Sequence, residues 1–262
     1  MSNSLNVEKL EREVKSVYRT VAEAPTEERH FEMGRSLAER LGYPASDLDR
    51  VPAEAIDSFA GVGYHFDLAD LRDGEDVLDL GSGSGMDAFV AALHVGDAGS
   101  VTGLDMTDEQ LEKARRLRDE AGMEPVSFER GYIEDLPFAD ESFDVVVSNG
   151  VINLSAEKEQ VFAEVRRVLR PTGRVALSDI VSETRMPERI KSDADLWAAC
   201  IGGAEQVTDY TELLEPPGFA NVEVRDNPQY EFISDQATSA CRTYGVKSIS
   251  LSARRNEESV VS

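Results

Sequence analysis

The sequence predicts an α/β protein built around a doubly wound sheet. From residue 76 onward, short apolar runs of strand length alternate with longer stretches of helical periodicity. The first apolar run ends in three closely spaced glycines that open a helix, as expected where a buried parallel strand leads into a crossover. The predicted strands are residues 76–80, 100–105, 126–129, 143–148, a fifth that ends at Asp179, and finally 219–225 and 244–253.

The chain divides into three predicted regions. Residues 1–72 are predicted to be a helical N-terminal extension with a cap loop, because apolar residues recur there at helical spacing. Residues 73–184 form the predicted ligand-binding core, and residues 185–262 supply substrate-side helices and the closing strands. Outside the core, helices are predicted at about 10–21, 31–41, after Pro52, at 186–204 and at 208–215.

The composition is strongly acidic. The 262 residues carry 51 Asp and Glu against 27 Lys and Arg, which gives a formal net charge of −24 at pH 7. Only six of the basic residues are lysine. Such a surface opposes binding to nucleic acid or to an anionic membrane, and it suits a protein that stays dissolved at high salt. We therefore expect a halophile's cytoplasmic protein, with an acidic mesophilic protein as the alternative.

No segment predicts export, membrane insertion or a metal site. The sequence contains no signal peptide and no apolar run of about 18 residues. The two cysteines, Cys200 and Cys241, show no metal-ligand spacing, so no bound metal is expected. In a reducing cytoplasm such thiols are either buried apolar side chains or functional thiolates. Nothing in the sequence predicts an oligomeric state.

The glycine segment, residues 76–87, has the character of a ligand cradle. A dinucleotide fingerprint counted from Gly81 would need a third glycine where the chain has Met86, and Asp79 would repel a pyrophosphate at this place. The segment therefore favours a cationic or zwitterionic ligand, with an ordinary glycine-rich turn as the alternative. S-adenosylmethionine fits this chemistry, because it carries an ammonium and a sulfonium group and no phosphate. The predicted cofactor contacts in this segment are Asp79, Gly81, Ser82 and Gly83.

Two further strand ends carry candidate cofactor residues. Asp105 ends the second predicted strand, where an acid can accept both ribose hydroxyls of an adenosine, and Met106 beside it can lie against the purine. A cap for the following helix is the alternative role for Asp105. Asn149 follows the fourth strand. Because ligands bind at the carboxyl ends of the strands in open α/β sheets, Asp79, Asp105 and Asn149 are expected to converge on one crevice.

Five motifs within about residues 60–205 indicate a family. They are LDLGSGSG at 78–85, VTGLDM at 101–106, SNGVINL at 148–154, LSDIV at 177–181 and LWAACIGGA at 196–204. In these motifs the chain resembles the arsenite methyltransferases, a family of class I S-adenosylmethionine-dependent methyltransferases. The resemblance implies a Rossmann-like, seven-stranded methyltransferase sheet closed by an antiparallel C-terminal strand pair. It also implies that S-adenosylmethionine is the methyl donor and that Ile133 and Glu134 lie beside its adenine.

The resemblance also implies a site for the methyl acceptor. In that family three cysteine thiolates hold As(III), and the arsenic lone pair attacks the sulfonium methyl group. Soft thiolates suit such a thiophilic centre. Cys200 stands at one thiolate position, whereas Gly150 and the Gly-Val-Gly segment at 61–63 stand where the family carries the other two. Cys241 and a cellular thiol are the candidates for completing the set.

The expected activity is direct in-line methyl transfer to arsenite or a related thiophilic small molecule, which needs no general base. The alternative is transfer to carbon, oxygen or nitrogen of a small metabolite such as a quinone, where a base is needed. Tyr64 and His65, in the aromatic loop 59–66, are the first candidates for that base, although these aromatics equally fit packing on the core. A third hypothesis is a protein that binds the cofactor without turnover. A nicotinamide dehydrogenase is disfavoured by Asp79 and Met86.

Overall fold

One seven-stranded sheet forms the centre of the part of the chain that a computed structural model describes, namely residues 7–23, 31–187, 190, 197, 201–233 and 235–256. Its strands are β1 (Asp76–Leu80), β2 (Ser100–Asp105), β3 (Val126–Arg130), β4 (Phe143–Asn149), β5 (Leu169–Val181), β6 (Phe219–Asp226) and β7 (Lys247–Arg255). They lie in the order β3-β2-β1-β4-β5-β7-β6.

The first five strands are parallel, and β7 runs antiparallel between β5 and β6. The predicted doubly wound α/β sheet with an antiparallel closing pair is therefore confirmed. Strand β2 has the bounds that the sequence predicts. Because β1, β2 and β4 are parallel neighbours, their carboxyl ends at Leu80, Asp105 and Asn149 meet at one edge of the sheet.

Helices cover both faces of this sheet. They are α1 (Val7–Glu23), α2 (Arg35–Leu41), α3 (Ala45–Leu48), α4 (Ala53–Asp57), α5 (Phe66–Ala69), α6 (Met86–Val95), α7 (Asp108–Ala121), α8 (Lys158–Val168), α9 (Val207–Glu212) and α10 (Asp235–Tyr244). The predicted helix at 186–204 lies mostly outside the described residues. The last strand starts at Lys247, later than predicted, because Tyr244 belongs to the end of α10. The small and polar residues of α10 show no clear helical pattern in the sequence.

Apolar side chains of the central strands alternate between two layers of the core. Val77 packs on one face with α6, α7 and the N-terminal helices α2 to α5, whereas Leu78 and Leu80 pack on the other face with α8 and α9. The N-terminal helices α2 to α5 thus share their apolar cluster with the sheet. The boundaries at residues 72 and 184 stay a prediction.

Helix α1 lies beside the carboxyl ends of the central strands. The Gln110 side chain in α7 donates a hydrogen bond to the Tyr18 carbonyl oxygen at 2.9 Å, and Leu10 and Val14 pack against Trp197. Helix α1 therefore borders the region where a ligand is expected. Among the described residues, no helix is both long and apolar enough to cross a membrane.

Candidate functional site

A cavity of about 420 Å³ opens at the carboxyl ends of β1, β2 and β4. It lies where the strand topology predicts a ligand. All of the residues predicted to bind the cofactor line it, namely Asp79, Gly81, Ser82, Gly83, Asp105, Met106, Ile133, Glu134 and Asn149. Of the predicted catalytic residues, Tyr64, His65 and Cys241 do not line it, and Cys200 lies outside the described residues.

The glycine loop after β1 is held tightly against β2. The backbone N–H groups of Gly81 and Ser82 both donate to the Leu104 carbonyl oxygen, at 2.8 and 2.9 Å, and Gly83 N–H donates to Asp105 Oδ2 at 2.9 Å. Gly81 has φ +70°, and a Cβ at this residue would come within 2.4 Å of the Val151 side chain. Only glycine therefore fits this place without moving the wall of the cavity.

Three carboxyl groups meet at the floor of the cavity. Asp79 is buried, and its pKa is raised well above the ordinary value, first by burial and then by repulsion from Asp87 and Asp105. Burial raises the pKa of Asp87 to about 6. Hydrogen bonds that Asp87 accepts from Tyr43 Oη (2.6 Å) and Asn149 Nδ2 (3.0 Å) act in the opposite direction and lower the pKa. Burial also raises the pKa of Asp105, although backbone N–H groups oppose this shift. Among the described residues, no lysine, arginine or histidine side chain forms an ion pair with these three carboxyl groups.

The polar atoms of this wall fit a cationic, hydrogen-bonding ligand. Asp79 Oδ2, Ser82 Oγ and Thr107 Oγ1 are buried and find no hydrogen-bond partner among the described residues. No lysine, arginine or histidine belongs to the described lining of the cavity. Buried polar atoms are normally satisfied, so these three atoms mark places where a bound group would complete the hydrogen bonding. The ammonium and sulfonium groups of S-adenosylmethionine supply the missing positive charge, and the residues present therefore fit this cofactor.

The other walls are mostly apolar and suit a flat ring. Met106 and Ile133 line the cavity and pack against two different apolar clusters, and Leu154 packs against the same cluster as Met106. Glu134 accepts a hydrogen bond from Ser155 Oγ at 2.5 Å, which fixes the carboxylate at the cavity wall. This arrangement is compatible with the adenine position that the sequence predicts for Ile133 and Glu134.

Asn149 has a role at this site that sequence reasoning missed. Its Oδ1 accepts hydrogen bonds from the backbone N–H groups of Val62 (2.8 Å) and Gly63 (3.3 Å), and its Nδ2 donates to the Gly63 carbonyl oxygen at 3.0 Å. Nδ2 also contacts Asp87 and the Tyr43 hydroxyl. The amide is therefore occupied in fastening the aromatic loop 59–66 to the end of β4, even though the residue lines the cavity.

The same loop is fastened on its other side to β7. Ser248 Oγ donates to the Val62 carbonyl oxygen at 2.6 Å, and Ser250 Oγ donates to the Tyr64 carbonyl oxygen at 3.2 Å. Both edges of the loop backbone thus have hydrogen-bond partners in the sheet. This double attachment fixes which side chains of the loop face the cavity.

Tyr64 and His65 do not line the cavity: His65 is fully buried and Tyr64 is partly buried. The Tyr64 ring packs edge-on against Tyr43, with 4.9 Å between ring centroids, and burial raises its pKa. The His65 ring is fully buried against Phe66, neither of its nitrogens has a partner among the described residues, and burial lowers its pKa to about 3. This placement corresponds to the packing alternative, and neither group reaches the cavity as a general base.

Cys241 lies elsewhere. It is half-buried in α10, in a groove beside β6 and β7 that includes Phe232 and Val246, and burial raises the pKa of its thiol. The structure therefore does not bring Cys241 to the cavity that the cofactor residues line.

Asp87 and Tyr43 are site residues that sequence reasoning missed. Asp87 lies in the first turn of α6, directly after the glycine loop, and an acid in the first turn after a ligand-binding loop is a signal that could have found it. Tyr43 reaches Asp87 from 44 residues earlier in the chain, and no local pattern marks it.

The attachment of the aromatic loop gives a prediction for stability. Replacing Asn149 with aspartate should lower the free energy of unfolding by about 2 kcal/mol, because a carboxylate would face the Gly63 carbonyl oxygen and Asp87 where the amide now donates. Urea unfolding at pH 8 measures the change. The matched control is Asn256→Asp at an exposed side chain, which should change the free energy by less than about 0.5 kcal/mol. Equal stability of the two variants would contradict the attachment through Asn149.

Comparison with known proteins places this geometry in a family. Residues 71–218 match the sequence profile of the methyltransferase domain. An arsenite methyltransferase of Halobacterium salinarum is 46% identical over 201 residues, which are 76% of this chain and 51% of the relative. The human arsenite methyltransferase is 43% identical over 152 residues, which are 55% of this chain and 40% of the relative. The chain spans about half the length of these curated relatives.

A solved structure gives the same indication. An arsenic(III) S-adenosylmethionine methyltransferase from Chlamydomonas reinhardtii superposes with a TM-score of 0.68 at 32% identity, over 87% of this chain and 76% of that one. The fold is that of an S-adenosylmethionine-dependent methyltransferase. The chain belongs to the methyltransferase-domain family, and its predicted relationship to the arsenite methyltransferases is confirmed.

Proposed function

We propose that this protein transfers the methyl group of S-adenosylmethionine to trivalent arsenic. The main support for S-adenosylmethionine as the bound cofactor is the cavity at the carboxyl ends of β1, β2 and β4. This cavity contains the glycine loop and the unpartnered carboxylate oxygen of Asp79. The similarity to arsenite methyltransferases supports the acceptor.

Each part of the cavity has a distinct task in this proposal. Asp79 holds the ammonium group of the cofactor, Asp87 lends negative charge beside its sulfonium, and Asp105 accepts hydrogen bonds from the ribose hydroxyls. Met106 and Ile133 enclose the adenine ring. The bound cofactor supplies a methyl group on a positively charged sulfur. The contribution of the chain is to hold the acceptor in line with that methyl group and to exclude water.

The charge of the cavity restricts the acceptor. The described lining contains several acids and no basic side chain, so an anionic acceptor would be repelled. Arsenous acid is uncharged at neutral pH and enters without that penalty. Trp197, three residues before Cys200 in the sequence, packs with Leu10 and Val14 of the helix that borders the cavity. The LWAACIGGA motif at 196–204, shared with the arsenite methyltransferases, supports Cys200 as the thiolate that the chain itself supplies. Because Cys241 lies in a different groove, a cellular thiol is the better candidate for the remaining ligands.

The acidic composition and the relative from Halobacterium salinarum support a halophilic, cytoplasmic setting for this activity. High salt screens repulsion among exposed acids, so the compact state is favoured there. The activity should therefore be measured in buffers of high salt concentration.

A labelled-methyl assay tests the proposal. Incubation with methyl-labelled S-adenosylmethionine, arsenite and a small thiol at high salt should give methylated arsenic, separated by chromatography and detected by mass spectrometry. Cys200→Ser should lower the rate at least about tenfold, because it removes a soft thiolate ligand. Cys241→Ser is the matched control and should keep the rate within about twofold, since its thiol lies outside the cavity. No arsenic product, in a protein that binds the cofactor, would overturn the choice of acceptor.

A second candidate is methyl transfer to an organic metabolite such as a quinone. The observation that favours it concerns the two other positions where arsenite methyltransferases carry cysteine. These positions, Gly150 and the segment 61–63, lie next to each other, since a Cβ at Gly150 would be 3.2 Å from Val62 Cγ1. Neither position carries a thiol. Labelled product from a cell extract without added arsenite, formed equally by Cys200→Ser, would favour this function.

A further inference from the structure

We infer that the cavity selects its ligand by charge: the cluster of Asp79, Asp87 and Asp105 makes it bind the cationic methyl donor more tightly than the uncharged thioether product, with Asp87 as the specificity-determining residue. This inference rests on the proposed function, and it concerns the discrimination between S-adenosylmethionine and S-adenosylhomocysteine at that same site.

The three acids reach the cavity from three different elements. Asp79 lies within β1, Asp105 ends β2, and Asp87 lies in the first turn of α6. Asp79 and Asp87 are 2% and 6% exposed, and all three line the cavity. Asp79 Oδ2 has no hydrogen-bond partner among the described residues. The fold thus brings together buried carboxylates that the protein does not neutralise.

Among the described residues, no basic side chain contacts the three acids of the cluster directly. Tyr43 and Asn149, which contact Asp87 directly, are neutral donors. Three lysines contact the lining without being part of it: Lys15 at Glu11, Lys113 at Ser58 and Lys158 at the Ser155 carbonyl oxygen. The remaining titratable groups of the described lining are Glu11, Tyr18, Tyr132, Glu134, Asp135 and Glu157.

Donor and product differ by one charge. Both carry an ammonium group, a carboxylate and an adenosine, whereas only the donor has a sulfonium. A unit charge near buried carboxylates interacts far more strongly than it would in water, because the surroundings screen it poorly. The cluster therefore stabilises the donor complex, and methyl transfer removes that stabilisation from the product complex.

The same charge couples binding to protons. Burial, and after it repulsion within the cluster, keeps the pKa of Asp79 well above its ordinary value, and burial raises the pKa of Asp87 to about 6. An added cation favours the ionised carboxylates, so donor binding should release protons and should weaken as the pH falls below 6. The product lacks the sulfonium charge and should release fewer protons. The hydrogen bond from Tyr43 favours the ionised form of Asp87, which makes Tyr43 a positioning residue.

Titration calorimetry with S-adenosylmethionine and S-adenosylhomocysteine, in buffers of different ionisation heat, tests the inference. At pH 8 the donor should bind at least about tenfold more tightly than the product. Near pH 6 donor binding should release about one proton, and product binding should release fewer. Asp87→Asn should weaken donor binding about tenfold, leave product binding nearly unchanged and bring the ratio close to one. Tyr43→Phe should lower the donor affinity about threefold, and so should also reduce the ratio of donor affinity to product affinity.

The matched control is Asp119→Asn, the same loss of charge at a side chain that is 67% exposed and lies outside the cavity, where both affinities should stay unchanged. Circular dichroism checks that each variant is folded. If neither compound binds the unmodified protein, the proposed function itself fails. If product and donor bind equally, or if Asp87→Asn weakens both to the same extent, the charge selection is overturned while the cofactor site stands. The affinity ratio and proton count of the unmodified protein decide the matter even if a variant does not fold.

Discussion

Replacing Gly81 with alanine is expected to weaken the binding of S-adenosylmethionine about a thousandfold, through strain at a positive φ and a collision inside the cavity wall. The residue has φ +70°, and its Cβ would lie 2.4 Å from the Val151 side chain. Relief requires a shift of Val151 or of the glycine loop, and the loop is held by the hydrogen bonds of Gly81 and Ser82 to the Leu104 carbonyl. Calorimetric titration with the cofactor measures the loss.

Gly122→Ala separates the two causes. Gly122 also has a positive φ, +64°, but nothing lies within 4 Å of the place that its Cβ would take. This control should lose about 1 kcal/mol of stability and should bind the cofactor normally. Unchanged cofactor binding by Gly81→Ala would show that the cofactor does not use the glycine loop as proposed.

His65 is expected to make the protein sensitive to acid. Its pKa falls from 6.5 to about 3 in the folded state because the buried ring cannot be solvated when charged. Below pH 6.5 the unfolded chain binds a proton at this residue and the folded chain does not, so stability is lost as the pH falls from 6.5 towards 3. The loss attributable to His65 should reach about 4 kcal/mol at pH 3.

His65→Phe removes this titration and keeps a ring in contact with Phe66. The difference in free energy of unfolding between the variant and the unmodified protein should therefore grow in favour of the variant as the pH is lowered from 7 to 4, as followed by urea unfolding. Taking the difference cancels the titration of the buried acids, which both proteins share. Parallel pH profiles for His65→Phe and the unmodified protein would contradict the prediction.

The strands and the place of the cavity follow from local sequence patterns. Alternation of apolar runs and helices predicts the parallel sheet, and the rule that ligands bind at the carboxyl ends of strands brings Asp79, Asp105 and Asn149 to one cavity. The four-residue helices α3 and α5 are too short to show a helical period, so they could not be predicted. Helix α10 was missed because its residues are mostly small and polar.

The orientation of individual side chains was much less predictable. Asn149 lines the cavity as expected, but its amide is occupied by the backbone of the aromatic loop and by Tyr43, a residue 106 positions away. Tyr64 and His65 were interpreted as candidate bases because the loop lies ahead of the cofactor strand. Which side of that loop faces the cavity depends on hydrogen bonds to β7, and a sequence pattern within the loop contains no information about them.

The attachment of the aromatic loop also sets an order of events during synthesis. Ser248, which holds the Val62 carbonyl, follows it by 186 residues. Strands β1 to β5 precede β7 in the chain and leave the ribosome before it. The wall formed by residues 59–66 must wait until β7 has emerged from the ribosome. The second attachment of the loop therefore forms only together with the antiparallel part of the sheet, after the five parallel strands have been made.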